Sequence, residues 1–215
     1  MLTGVVCDGM GGAQAGALAS SMAVDAFMSH AANSLDAKSS LSDMRAILKD
    51  AVDYANAKVY ARAFSDLDCI GMGCTLVAVL VAGKRTMIAN VGDSRAYLFY
   101  KDQLRQVTVD HSLVEDMIAR GKLTREEART HPKRNIITRA VGVDPSVKTD
   151  ILEVKFPAGA KLLLCSDGLS NVVTDDEIMQ VLLEEPEPEP ACARLLELAL
   201  QAGAPDNVTA FLVQR

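Results

Sequence analysis

Three aspartates stand at the ends of apolar runs in this sequence. Asp8 follows VVC, Asp167 follows KLLLCS, and Asp206 stands one residue before the run VTAFLV; the first two are each followed by glycine. Hard divalent cations prefer oxygen ligands, and carboxylates at strand ends can converge without burying unpaired charge. Glycine after an aspartate lets the backbone turn sharply. The pattern predicts either a divalent metal site or ordinary Asp-Gly turns, because spacing alone does not show convergence.

Other catalytic chemistries lack their motifs. No cysteine is followed by arginine six positions later, as a cysteine-phosphatase loop requires, and neither GxxxxGK[ST] nor GxSxG occurs. The segment DLDCI (66 to 70) is close to an aspartyl-phosphate motif, but it follows a helical pattern rather than an apolar strand. His30, His111 and His131 are too scattered for a zinc cluster.

The elements that must position the aspartates have an α+β order. Apolar spacing and capping signals predict helices on either side of a β-rich centre without regular βαβ alternation. The central strands, separated by turn-like breaks, predict an antiparallel meander. The acidic repeat EEPEPEP (184 to 190) is interpreted as a solvated helix connection rather than a binding motif. The predicted helices are 13 to 30, 44 to 59, two short ones after SLVE and TREE, one after TDDE, and 191 to 202; the strands are 2 to 7, 74 to 82, 85 to 91, 94 to 100, 103 to 108, 147 to 154, 161 to 165 and 208 to 213.

Composition is that of one soluble globular domain spanning 1 to 215. Hydrophobic residues make up 49% of the 215 residues and charged residues 23%, with a formal net charge of −6. The acidic balance disfavours nucleic acid as a partner. The longest apolar run is about half of the ~20 residues that a membrane span needs, so no membrane segment is predicted. Five cysteines without CxxC pairing, and no basic leader, predict a cytoplasmic protein with reduced thiols.

Six short motifs, taken in order, resemble the metal-dependent type 2C protein serine/threonine phosphatases of bacteria. The resemblance runs from about residue 4 to the C-terminus, and it implies a central β-sandwich of two antiparallel sheets flanked by helices, with metals in a channel at one end. The motifs are DGMGG (8 to 12), GCT (73 to 75), NVGDSRAYLF (90 to 99), VDHS (109 to 112), SDGL (166 to 169) and DNVT (206 to 209).

The resemblance implies roles for individual residues. Asp8 would bridge two Mn²⁺ or Mg²⁺ ions, the Gly9 carbonyl would bind one of them, and Asp167 and Asp206 would bind the second. Asp110 matches a position that helps to bind a third, weaker ion shared with Asp167. The resemblance assigns supporting or structural roles to three further residues, with Asp93 tying a strand turn: Asp93, Ser166 and Asn207.

The implied chemistry is hydrolysis of phosphoserine and phosphothreonine in proteins. Two ions about 4 Å apart lower the pKa of a bridging water, so that hydroxide attacks phosphorus in line while the ions neutralise the equatorial oxygens. No covalent phosphoenzyme is needed, which agrees with the missing nucleophile motifs. The implied substrates are phosphoproteins, expected to be the targets of a serine/threonine kinase.

A basic segment resembles the flap beside the family's channel. The flap is expected at about 112 to 142, and residues 120 to 139 contain seven Lys or Arg against two Glu. This excess is either a solvated helical face or a docking surface for phosphoproteins, with Arg120, Arg125 and Arg129 as candidate substrate-binding residues.

The sequence also departs from the family pattern. Relatives begin with one more strand, which carries a phosphate-binding Arg and an Asn-Glu/Gln-Asp element, and they often have His and an acidic residue where Ala13 and Ala17 stand. The expectation is a chain that lacks this strand, with an open sheet edge that dimerisation or strand exchange would cover. A catalytically weakened metal- or phosphoprotein-binding module is therefore the alternative function. A phosphatase for small metabolites is a third reading, disfavoured by the low aromatic content of 4%.

Overall fold

Two four-stranded antiparallel sheets pack face to face in the computed structural model, which describes residues 1–215. The strands are β1 Leu2–Val6, β2 Gly9–Met10, β3 Gly73–Cys74, β4 Leu76–Ala82, β5 Arg85–Val91, β6 Arg95–Tyr100, β7 Gln103–Gln106, β8 Asp150–Glu153, β9 Lys161–Cys165 and β10 Ala210–Gln214. The helices are α1 Ala13–Ser34, α2 Leu41–Ser65, α3 Leu113–Ala119, α4 Arg125–Arg129, α5 Asp167–Ser170, α6 Asp175–Glu184 and α7 Pro188–Gln201.

The order of strands is β1-β4-β5-β8 in the first sheet and β10-β9-β6-β7 in the second, while β2 and β3 form a separate ribbon. Every pairing between neighbouring strands is antiparallel. β1 lies at an edge of the first sheet, with β4 as its one strand partner. The side chains between the two sheets are apolar and buried; they include Val6, Val77, Ile88, Leu162 and Leu164.

Helices cover the outer face of each sheet and complete four layers. The long pair α1 and α2 packs on the first sheet through Phe27, Met44 and Leu48, which are fully buried. On the second sheet, α5, α6 and α7 bury Leu169, Ile178 and Leu195. Each side of the sandwich therefore has its own apolar core, in addition to the one between the sheets.

Capping residues fix where several helices begin. Three capping side chains each accept a hydrogen bond from the backbone N–H three residues later: Ser40, Thr124 and Thr174. The acidic side chain at that later position accepts a bond from the backbone N–H of the capping residue. Such capping boxes satisfy two backbone donors that have no partner inside the helix. The capping box predicted from TREE is confirmed and TDDE forms one too, whereas at SLVE only half of the predicted box is present, with Ser112 accepting from the Glu115 N–H.

The predicted fold class is confirmed, with two local corrections. The central strands do not form one continuous meander, because β4 and β5 belong to the first sheet and β6 and β7 to the second. The chain crosses between sheets at Gly92, whose φ of 98° is a conformation that favours glycine. The second correction concerns EEPEPEP, because α7 already begins at Pro188 inside it; proline is well tolerated in a helix's first turn. No helix is both long and apolar enough to span a membrane.

Candidate metal centre

Asp8 is held where β1 ends by hydrogen bonds to the GCT motif. The Asp8 N–H donates to Thr75 Oγ1 at 2.9 Å, and the Thr75 N–H donates to the Asp8 carbonyl at 2.8 Å. Thr75 Oγ1 also lies 2.7 Å from Ser94 Oγ, in the GDSR motif. Both hydroxyl residues are buried. Three of the six motifs therefore meet at the Asp8 backbone.

Gly9 allows helix α1 to start against the strand that carries Asp8. A Cβ atom on Gly9 would lie 2.0 Å from the Gly16 carbonyl oxygen, and one on Gly16 would lie 2.9 Å from the Gly9 carbonyl carbon. No side chain fits in this space without moving the helix or the loop. The glycines in this stretch therefore serve close backbone packing beside Asp8.

Asp167 and Asp206 are brought together by a second close backbone contact. A Cβ on Gly168 would lie 2.2 Å from the Asn207 carbonyl oxygen. Ser166 Oγ donates to that same carbonyl at 3.2 Å and accepts from the Thr209 N–H at 3.0 Å. The supporting role expected for Ser166 thus has a definite contact, which ties the loop after β9 to the loop before β10.

Local hydrogen bonds also orient these two carboxylates. Asn171 Nδ2 donates to Asp167 Oδ2 at 3.0 Å, and the Asn207 N–H donates to Asp206 Oδ1 at 2.8 Å. Asp167 is half-buried, whereas Asp206 is exposed. Each of the two carboxylates is therefore oriented by a group close to it in the chain.

Asp8 is close enough to Asp167 and Asp206 for their charges to raise its pKa. The pKa of Asp8 rises to about 7, chiefly through burial, then through a hydrogen bond with the Asp167 side chain and repulsion from Asp167, Asp206 and Asp93. The pKa of Asp93 also rises to about 7, chiefly through burial and then through repulsion from Asp167 and Asp110. The charges of Asp167 and Asp110 thus act on Asp93, whose role in tying a strand turn stays a prediction.

The donors at this site fit hard divalent cations. Asp8, Asp93, Asp167 and Asp206 offer oxygen ligands and have no Lys or Arg ion-pair partner at 4.0 Å or less, although the Arg95 charge partly offsets the repulsion at Asp93. In the protein alone, no three His, Cys, Asp or Glu side chains are arranged closely enough to enclose an ion. Binding of an ion therefore requires the carboxylates to turn towards the cation.

Asp110, unlike the four aspartates above, forms an ion pair with an arginine. Both of its carboxylate oxygens accept hydrogen bonds from Arg95, with Nη2 at 2.7 Å, and Gln106 Nε2 adds a bond of 2.7 Å. The guanidinium thus already holds the oxygens that a third ion would need. The role of Asp110 in a third ion site stays a prediction, and an ion there would have to bind the carboxylate beside this ion pair.

His111 joins the metal centre to the end of the flap. Its Nδ1 accepts from the Gly92 N–H at 3.0 Å, and its Nε2 lies 3.2 Å from Asp150 Oδ2 and 2.9 Å from Arg139 Nη1. Arg139 Nη1 donates to Asp150 Oδ1 at 2.8 Å. Burial lowers the pKa of His111, which favours the neutral ring. Sequence reasoning did not identify this link, although the VDHS and GDSR motifs that form it were both recognised.

A cleft of about 230 Å³ leads from the acidic cluster to the flap. Asp93 and Asp167 lie at one end, and α3, α4 and the start of α6 form the walls. Two of the three predicted flap residues, Arg125 and Arg129, line the cleft together with Arg134, but Arg120 does not. Arg125 also pairs with Glu115 at 3.3 Å.

Comparison with known proteins agrees with this geometry. The profile of the family described as Protein phosphatase 2C matches residues 1–212. A serine/threonine phosphatase stp of Listeria innocua is 39% identical over 211 residues, which cover 98% of this chain and 83% of that protein.

Solved structures of serine/threonine phosphatases are also similar to this chain. The crystal structure of the Mycobacterium tuberculosis serine/threonine phosphatase PstP/Ppp has a TM-score of 0.88 and 35% identity, covering 99% of this chain and 88% of that one. The catalytic domain of PstP, solved in complex with two manganese ions, has a TM-score of 0.82 and 37% identity with the same coverage. The family resemblance seen in the motifs is confirmed, and the chain belongs to the protein phosphatase 2C family.

Proposed function

We propose that this protein hydrolyses phosphoserine and phosphothreonine in other proteins, with two Mn²⁺ or Mg²⁺ ions held by Asp8, Asp167 and Asp206. The observation that carries the proposal is the convergence of these carboxylates, without cationic partners, at one end of the sandwich. The high-coverage relatives are serine/threonine phosphatases, and the enzyme class of this chain is the same. Serine/threonine kinases would supply its substrates.

The ions, when bound, would activate water as the nucleophile and neutralise charge on the phosphoryl oxygens. The chain's own residues place the ligands. Thr75 and Ser94 fix the Asp8 backbone, which also aligns the neighbouring Gly9 carbonyl as a further ligand. Asn171 orients Asp167 by its hydrogen bond to Oδ2. Asp93 would hold a third ion with Asp167, and Asp110 would support it from the Arg95 pair.

The cleft is proposed to receive the phosphorylated segment of the substrate protein. Arg125, Arg129 and Arg134 line it opposite the acidic cluster, and a guanidinium presents its donors in a planar fork that suits phosphate and carboxylate. The flap cations would attract the acidic segment, while the ions would engage the phosphoryl group itself. Arg120 lies outside this role.

The experiment compares Asp8→Asn with Asp50→Asn, an exposed aspartate on α2. Hydrolysis of a phosphoserine peptide and of p-nitrophenyl phosphate is measured with Mn²⁺ and with EDTA. We expect metal-dependent turnover in the parent and Asp50→Asn proteins, and its loss in Asp8→Asn. Equal rates with and without metal would overturn the enzymatic proposal, whereas metal binding without turnover would support the non-catalytic alternative.

A further inference from the structure

A second pocket, which we call the distal pocket, lies at the end of the sandwich opposite the acidic cluster. Asp93 follows the end of β5 and Asp167 follows the end of β9, whereas this pocket is lined by Lys84, just before β5, and by Phe156 to Ala158, just before β9. Its volume is about 650 Å³, within the range of roughly 300–1,000 Å³ typical of small-molecule sites. It shares no residue with the catalytic cleft.

Apolar and aromatic groups form the floor of the distal pocket. Leu98 and Tyr100 at the end of β6 are half-buried and line it beside Pro157, with the buried Phe156 below. The Tyr100 hydroxyl has no hydrogen-bond partner within the chain. A flat or extended apolar body resting on this floor would remove exposed apolar surface from water.

Basic side chains surround the floor, and no acidic side chain lines the pocket. Lys84, Arg105 and Lys155 are exposed and make no ion pair or side-chain hydrogen bond within the chain. The Arg215 guanidinium is fixed by donating to the Phe156 carbonyl at 2.9 Å and to the Gly83 carbonyl at 2.8 Å. Four cationic side chains thus face one pocket in a protein whose net charge is −6.

We propose that the distal pocket binds a small organic anion with an apolar body, such as an acyl carboxylate or an aryl sulfonate. Charge complementarity selects the anionic group, since three cations are free to pair with it and no carboxylate side chain competes. The apolar floor selects the body, since an inorganic anion would leave Leu98 and Tyr100 exposed to water. The pocket is separate from the chemistry of the acidic cluster, so the proposal holds with or without bound metal.

The test uses 8-anilinonaphthalene-1-sulfonate as the probe, because its fluorescence increases when its rings enter an apolar site. Binding is titrated in EDTA, so that the acidic cluster does not contribute through metal. We expect saturable binding to the parent protein, weakened about tenfold or more by the double substitution Lys84→Glu and Lys155→Glu. Tyr100→Ala should weaken binding several-fold through loss of the floor.

The matched control is Lys49→Glu with Lys58→Glu, which makes the same change in net charge on α2, away from the pocket. It should change probe affinity less than twofold. Unchanged melting temperature and metal-dependent hydrolysis of p-nitrophenyl phosphate would show that the pocket variant is folded.

Competition experiments test separately whether binding requires the anionic group and whether it requires the apolar body. Decanoate should displace the probe, while octyl glucoside, which is neutral, and inorganic sulfate, which has no apolar body, should not. The proposal is overturned if the parent protein shows no saturable binding, if the pocket and control variants bind alike, or if sulfate or the glucoside competes as well as decanoate.

Discussion

Two sets of aspartates in this protein have opposite electrostatic surroundings. Asp110 and Asp150 each face an arginine, Arg95 at 2.7 Å and Arg139 at 2.8 Å. Asp8 and Asp93 face other carboxylates, and the pKa of each rises to about 7. A carboxylate with an arginine contributes to holding the fold, whereas a cluster without one is suited to bind a cation.

The comparison adds information that the position of a residue in a motif does not give. Asp93 and Asp110 both belong to recognised motifs, and only the partner of each carboxylate separates them. Arg95 follows Asp93 by two residues in GDSR but pairs with Asp110 of VDHS. Removing one carboxylate from the arginine-paired set and one from the unpaired set should therefore have different effects on stability and turnover.

The largest effect is expected for Asp167→Asn. Loss of a group that merely supports a metal ligand costs about 10–100-fold, so loss of a proposed ligand should lower kcat/KM for p-nitrophenyl phosphate by more than about 1,000-fold. The same substitution relieves repulsion with Asp8 and Asp93, so the melting temperature of the metal-free protein should stay constant or rise. A marked fall in that temperature would mean that Asp167 holds the fold instead.

The next effect is on stability and concerns Asp110→Asn, with Asp206→Asn as the matched change in the unpaired set. Breaking a buried ion pair costs roughly 3–5 kcal/mol, and partial exposure of Arg95 reduces this to about 2–3 kcal/mol. Thermal unfolding in EDTA should show a melting temperature about 4–12 °C lower for Asp110→Asn and little change for Asp206→Asn. If Asp110→Asn were neutral in EDTA but abolished the response to Mn²⁺, Asp110 would be a ligand after all.

Much of this arrangement could be predicted from sequence because the necessary signals are local. Strand-ending aspartates, the glycines after them and the capping residues each act within a few positions of the chain. Gly9 and Gly168 were expected to permit turns, and the structure adds the backbone that each one faces, at Gly16 and Asn207. Those partners are distant in sequence, so no local pattern shows them.

The remaining features depend on pairings across the fold. The crossing between sheets at Gly92 could not be predicted, because hairpin signals are the same whether successive hairpins share a sheet or not. The Arg95–Asp110 pair joins residues 15 positions apart. The contact between His111 and Gly92 joins residues 19 positions apart. Long-range pairing of charges decides which acidic residue is free, and a single sequence contains no direct record of it.

A third prediction concerns metal binding to the unpaired set. An ion that binds only the folded protein, at about 100 times its Kd, stabilises it by roughly 2.7 kcal/mol, which corresponds to a rise of about 5–10 °C in the melting temperature of a domain of this size. Differential scanning fluorimetry with Mn²⁺ should show this rise for the parent protein and for Asp50→Asn, and EDTA should reverse it. An equal rise in Asp8→Asn would mean that Mn²⁺ binds elsewhere.

The smallest effect is expected in the flap, where the chain provides its own control. Arg125 and Arg129 line the cleft, whereas Arg120 does not. Arg125→Glu combined with Arg129→Glu should lower kcat/KM for a phosphoprotein about 5–10-fold, since exposed charge pairs contribute only about 0.2–1 kcal/mol each.

Turnover of p-nitrophenyl phosphate should fall much less in that variant, because a small aryl phosphate needs no docking surface. Arg120→Glu should leave both substrates unaffected. If turnover of both substrates fell equally, the two arginines would support the fold of the flap or bind the phosphate group itself. An equal loss of phosphoprotein turnover in Arg120→Glu would indicate a long-range electrostatic effect rather than a docking surface. Only cations that line the cleft can contact a bound segment directly.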